Sequence, residues 1–217
     1  ADLDVAVPTI ANAIFLNSGQ VCAAGSRVYV QRNIYDEVVQ RLVEHAGSLS
    51  VGHPMDSGTQ LGPVISIKQE RRIAGYLSQA REQGGTLHTT GRSTNTSEGG
   101  YYVLPTVVEA HQDMTITREE VFGPVVAVVP FDEPEEAITL ANDTVYGLSA
   151  YIYTRDISEA LKTSMKIDVG RLNINGAPAP YPSIPEGGRK ASGYGRDQGS
   201  ESLEGYLDTK VITVSMD

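Results

Sequence analysis

The apolar positions of this chain change period along its length. Residues 4 to 16 repeat at helical spacing, with Val5, Ile10, Ala13 and Ile14 on the inward stripe. Pro8 falls inside that run, where it is tolerated near the first turn and kinks the helix further in. "SRVYVQ" (26–31) reads as a strand. "IYDEVVQRLVEHA" then reads as a helix with apolar residues at 34, 38, 39, 42 and 43 and Asn33 as its N-cap. Ser66 is placed to cap a further helix, "IKQERRIAGYLSQAREQ", which Gly84 and Gly85 stop.

"TLHTT" reads as a short strand. "YYVLPTVVEA" reads as extended chain, with Pro105 expected to keep it off a central position. The run "PVVAVVPF" (124–131) is almost continuously apolar, as in a strand buried on both faces. A helix over "EPEEAITLAN", a strand over "LSAYIYT", a helix over "DISEALKTSMK" and a strand over "GRLNIN" follow. Alternation at this spacing implies βαβ crossovers: an α/β fold of three layers, a largely parallel sheet with helices on both faces.

After Asn175 the periodic pattern stops. Residues 176 to 198 form a long loop rich in Pro and Gly, of a kind that more often carries function than not. "SESLEGY" reads as a short helix and "TKVITVSMD" as a closing strand, expected to pair with another part of the molecule or another subunit. The expected division is 1–205 as one domain and 206–217 as an association strand.

Composition narrows the function classes. The chain has 217 residues, 40% of them hydrophobic, enough for one sizeable core. Its net charge of −10 repels phosphate backbones, so no nucleic-acid partner is expected. No apolar run is long enough for a membrane span, and "ADLDVAVPTI" lacks the features of a signal peptide. A single cysteine needs no oxidising compartment, which fits a cytoplasmic location. No metal site is expected.

Three places could carry chemistry. Cys22 lies in "FLNSGQVCAAGS", where small neighbours let a carbonyl approach the sulfur and let backbone N–H groups face an oxyanion. A buried structural thiol is the alternative. His45, His53, His88 and His111 make no Cys–His signature. In "TREEVFGPVV" a carboxylate could hold a ribose diol while Phe122 packs on a planar ring; solvated acids at a turn are the alternative. "PEGGRKASGYGRDQG" (185–199) matches neither the dinucleotide nor the Walker spacing and reads instead as a glycine-rich pocket wall.

Together these stretches resemble the aldehyde dehydrogenase superfamily. Its cysteine signature, an aromatic, three residues and then G-Q-x-C, stands as Phe15 and Gly19-Gln20-Val21-Cys22. Its E-E-[IV]-F-G-P-[VL] segment is Glu119 to Val125, and its closing glycine-rich signature is Pro185 to Gly199. "ADLD", "YGLSAYIYT" and "TKVITV" are further landmarks.

The resemblance implies that Cys22 attacks an aldehyde to give a thiohemiacetal, hydride passes to NAD or NADP, and water releases the acid from a thioester. It implies Glu120 on the nicotinamide ribose, Phe122 beside the nicotinamide, and Asp197 as a possible proton relay. It places Pro180, Tyr181 and Glu186 on the substrate loop, and the last strand in a homo-oligomer. Glu186 stands where the family has phenylalanine, which suggests a more polar mouth favouring polar or cationic aldehydes, or a carboxylate pointing to solvent. Relatives carry a nucleotide-binding domain, a general-base glutamate and an oxyanion asparagine ahead of "ADLD"; these are absent from 1–217. The chain is therefore expected to be a catalytic-domain fragment, inactive alone. A non-catalytic scaffold that keeps the fold, and a cysteine esterase, are the competing readings.

Overall fold

In the computed structural model, residues 1–94, 96, 100–176 and 181–216 are described. The elements are α1 (Leu3–Phe15), β1 (Arg27–Gln31), α2 (Tyr35–Ser48), β2 (Ser50–Val51), α3 (Ile67–Glu82), β3 (Thr86–Thr89), β4 (Arg92–Ser93), β5 (Thr106–Glu109), α4 (Thr115–Arg118), β6 (Val125–Phe131), α5 (Pro134–Asn142), β7 (Ser149–Ile152), α6 (Ile157–Ser164) and β8 (Arg171–Ile174). The main sheet runs β1-β6-β5-β3. Its β1–β6 and β6–β5 pairs are parallel, and β3 joins β5 antiparallel. Two parallel ribbons, β2–β4 and β7–β8, stand beside it.

The apolar run of β6 explains the layering. Side chains alternate across a strand, so β6 offers Val126 and Val128 to one face and Val125, Ala127 and Val129 to the other. The first pair packs with Val7, Ala11 and Ile14 of α1 and with Val39 and Leu42 of α2. The other three pack with Ile73, Tyr76 and Ala80 of α3 and with Met114. Both faces are therefore covered, as the uninterrupted run requires.

Ser66 caps α3 as its spacing indicates, its hydroxyl accepting from the Gln69 N–H at 3.2 Å. Other expectations need correcting. Asn33 is not a cap: it lies inside a 3₁₀ turn, Arg32–Ile34, and α2 starts after Ile34 with no side-chain cap. Asp36 and Glu37 supply the favourable charge in that first turn instead. Val5 is 53% exposed, because it lies about 200° around the helix from buried Val7.

Pro105 does not push its segment to an edge. It ends just before β5, which lies between β6 and β3 with Thr106, Val107 and Val108 buried. The missing N–H of Pro105 thus falls outside the ladder, and its carbonyl accepts from Thr90 N at 3.0 Å. Residues 207–216 join no strand among the described residues; Val211, Ile212 and Val214 are exposed. No helix among the described residues is long and apolar enough to cross a membrane.

Candidate active site

Parallel pairing decides where the motifs meet. β1 and β6 are neighbours running the same way, so the segments entering them lie side by side at one sheet edge. The first carries Cys22; the second carries Glu120 and Phe122. Contact between them is backbone to backbone. Gly19 has φ +71°, and a Cβ there would overlap the Gly123 carbonyl. Asn17, Ser18 and Phe122 also adopt positive φ, at 52°, 56° and 57°. Such turns persist only where the surroundings over-determine them.

The surroundings do so. Ser18 Oγ donates to the Gly62 carbonyl at 2.8 Å, and Gln20 Oε1 accepts from Ile65 N at 2.9 Å. One face of α3 holds the second motif. Gln69 Nε2 donates to the Val121 and Phe122 carbonyls at 2.9 and 2.8 Å, and Arg72 Nη2 to the Glu120 carbonyl at 2.8 Å. The Tyr76 hydroxyl donates to Glu119 Oε2 at 2.7 Å. Burial, and then that carboxylate, push the Tyr76 phenol up.

The two adjacent acids are thereby separated in role. Glu119 is tied to Tyr76, while the exposed Glu120 carboxylate has no hydrogen bond or ion pair among the described residues.

Cys22 is exposed and sits on a turn closed by Ala24 N donating to the Val21 carbonyl at 2.9 Å. The Cys22 backbone N–H donates to no acceptor among the described residues, so it is available to an oxyanion beside the sulfur. A cavity of about 680 Å³ takes in Gly19, Cys22, Glu120, Phe122, Tyr151 and Ser192 among its walls. Consecutive residues of both β1 and β7 line it, so their free edges face each other across it.

The glycine-rich segment returns to the start of β7 and β8. Gly147 N donates to Ser192 Oγ at 2.9 Å, and Arg189 N donates to the Gly147 carbonyl at 2.9 Å. A Cβ on Gly170 would overlap the Gly187 carbonyl. Ala191 and Ser192 thus reach the cavity wall, whereas Tyr181, Glu186 and Asp197 are not among its lining. Pro180 lies outside the described residues. Glu186 and Asp197 exchange two backbone hydrogen bonds, each 2.7 Å. The Glu186 carboxylate pairs with Arg171 at 3.3 Å, the side chains being 28% and 13% exposed. It is a paired charge, partly exposed to water. No group of three or more His, Cys, Asp or Glu is placed to hold a metal among the described residues.

Sequence reasoning read α3 as a plain helix and missed its site-facing stripe. Gln69, Arg72 and Tyr76 stand at i, i+3 and i+7, a spacing that puts them on one face. That polar stripe was the available signal. Tyr151 and Arg171 were missed too, as polar residues inside strand patterns.

An exposed thiol, an unengaged carboxylate and an aromatic ring, gathered at one edge of a mostly parallel α/β sheet, define a thiol-bearing α/β domain with a cofactor-sized cleft. The chain belongs to the aldehyde dehydrogenase family, whose pattern matches residues 1–212. It is 40% identical over 218 residues to a betaine aldehyde dehydrogenase of Rhizobium etli, covering 100% of this chain and 45% of that protein. It is also 40% identical to the human mitochondrial aldehyde dehydrogenase, covering 42% of it. Among solved structures, the NAD⁺ complex of a Bacillus cereus aldehyde dehydrogenase superposes with a TM-score of 0.94 at 40% identity, over 100% of this chain and 44% of that one. The NAD⁺ complex of a Staphylococcus aureus betaine aldehyde dehydrogenase gives 0.92 at 38%, over 97% and 42%. The chain therefore spans less than half the length of these relatives.

Proposed function

We propose that this chain is the thiol-bearing part of an NAD(P)-dependent aldehyde dehydrogenase, with Cys22 as the nucleophile. The observation that carries this reading is the convergence of exposed Cys22, its unengaged backbone N–H, the free Glu120 carboxylate and Phe122 on one cavity.

The chemistry follows from those groups. The Cys22 sulfur attacks the aldehyde carbon, and the Cys22 N–H steadies the oxygen as charge develops there. Glu120 offers its two carboxylate oxygens to a ribose diol, and Phe122 offers a ring face or edge to a flat heteroaromatic group. The free carboxylate and the neighbouring ring fit the nicotinamide half of a dinucleotide. When bound, that cofactor supplies the hydride acceptor. Glu119 and α3 keep Glu120 presented through the backbone rather than touching the ligand.

In the longer enzyme, betaine aldehyde and simple aliphatic aldehydes are the first substrates to try, from the names of the relatives. For the chain itself, Cys22 is its one thiol, so alkylation reports on that residue alone. Iodoacetamide at pH 7 is expected to modify it faster than it modifies free cysteine, while the chain with NAD⁺ and aldehyde forms no NADH. A rate at or below that of free cysteine would overturn the assignment of Cys22. NADH formation by the chain alone would overturn its dependence on a further domain.

A further inference from the structure

The ribbon β7–β8 has an unusual inner face. Parallel pairing sets Ser149 opposite Arg171 and Tyr151 opposite Asn173, so these four polar side chains share one side. Ser149 Oγ and Asn173 Nδ2 are buried without a hydrogen bond of good geometry. Tyr151 reaches out of this face. Its hydroxyl donates to the Ala23 carbonyl at 2.7 Å, across 128 residues of sequence. Its ring lies against Gly25, where a Cβ would stand in ordinary contact at 3.8 Å.

Ala23 follows Cys22 directly. The peptide unit between Ala23 and Ala24 is therefore held at both ends: its carbonyl by Tyr151 and its N–H by the Val21 carbonyl at 2.9 Å. That plane cannot turn without losing one of the two bonds. The Cys22 N–H lies in the Val21–Cys22 peptide unit, whose carbonyl accepts from Ala24; it is left free and is steadied in direction through that bond. Burial pushes the Tyr151 phenol up, so it remains a neutral donor. Arg171, on the same face, carries the ion pair to Glu186, which bonds through its backbone to Asp197. The ribbon thus connects the glycine-rich segment to the thiol loop.

We infer that Tyr151 is a positioning residue for Cys22, aligning the thiol and the adjacent N–H through the Ala23 carbonyl. This rests on the reading of Cys22 as nucleophile. A hydroxyl on a rigid ring suits the task, because it brings one directed bond at small cost in side-chain freedom.

The single cysteine makes the test direct. The 217-residue chain, labelled with ¹⁵N-cysteine, gives one amide resonance that reports on Cys22. Tyr151→Phe keeps the ring and removes only the hydroxyl. It is expected to shift or broaden that resonance and to slow iodoacetamide alkylation by roughly 5- to 10-fold, the equivalent of one hydrogen bond. Tyr153→Phe is the matched control: its hydroxyl meets the Gly176 carbonyl at 3.5 Å and makes no hydrogen bond to the thiol loop among the described residues. It is expected to leave both signals unchanged. An unaltered resonance and rate in Tyr151→Phe overturns the inference. So does an equal loss in Tyr153→Phe, and so does loss of a cooperative melt in Tyr151→Phe, which would mark a plain structural role. A wild-type thiol no faster than free cysteine counts against the nucleophile reading instead, since the amide resonance reads the Tyr151 link by itself.

Discussion

The thiol loop and the glycine-rich loop both carry signature residues, yet they are held in place by different means. The thiol loop and its partner motif enter neighbouring core strands; Ser18 of the first donates to the Gly62 carbonyl, and Gln69 and Arg72 of α3 donate to carbonyls of the second. β6 beside them is buried over five successive residues. The glycine-rich loop rests on β7 and β8, every residue of which is half-buried. It is fastened by backbone contacts and by the Arg171–Glu186 pair. A site of this kind divides its labour. The nucleophile side stands on a buried core strand; the opposite wall, itself tied by Lys190, Arg189 and Ser192, stands on a half-buried ribbon and is the side more open to change.

Glycines offer the largest contrast. Gly19 combines φ +71° with a backbone neighbour where its Cβ would go. Gly19→Ala must displace the Gly123 carbonyl, and we expect a loss of about 3 kcal/mol or more in urea denaturation. Gly193, on the other loop, has φ +127° but nothing within 4 Å of an added Cβ. Gly193→Ala meets only the backbone penalty of about 1 kcal/mol. Equal losses at the two positions would erase the distinction between the two sides.

The α3 clamp comes next in size. Gln69→Ala leaves two carbonyls, those of Val121 and Phe122, without their donor. Val121 is buried and Phe122 half-buried, and the expected cost is about 1–2 kcal/mol. The more telling readout is local. Amide exchange over 119–123 should quicken at least tenfold while that of β6 holds. Uniform change across both would mean that the clamp is not what orders this turn.

Much of the core was legible because its signals are local. The unbroken apolar run of β6 and the Ser66 cap each depend on a few adjacent residues. Pro105 misled because a proline one residue before a strand and one within it look alike in sequence; only the register places Thr106 as the first paired residue. Asn33 misled because a 3₁₀ turn took up the position of the cap. In the site, the three motifs were visible as residue patterns. Their supports were not, because Ser18–Gly62, Gln69–Phe122 and Tyr151–Ala23 are separated by 44, 53 and 128 residues. A side chain that serves a distant carbonyl leaves no local period.

The smallest net effect is expected of a double variant, and it tests the half-buried wall. Arg171 and Glu186 are 13% and 28% exposed, so their pair is only partly screened by water. Arg171→Met leaves the Glu186 carboxylate half-buried beside an apolar chain. Glu186→Phe places there the aromatic that the family usually has and removes the carboxylate from beside the Arg171 guanidinium. Each single change is expected to cost about 1–2 kcal/mol. The double variant should recover most of that, because Met and Phe pack together without a charge to solvate. The coupling in a double-mutant cycle then comes to about 1–2 kcal/mol and favours the matched pairs. Additive losses would mean that Glu186 and Arg171 act separately. The carboxylate would then have to be explained by what enters the cleft, not by what holds its wall.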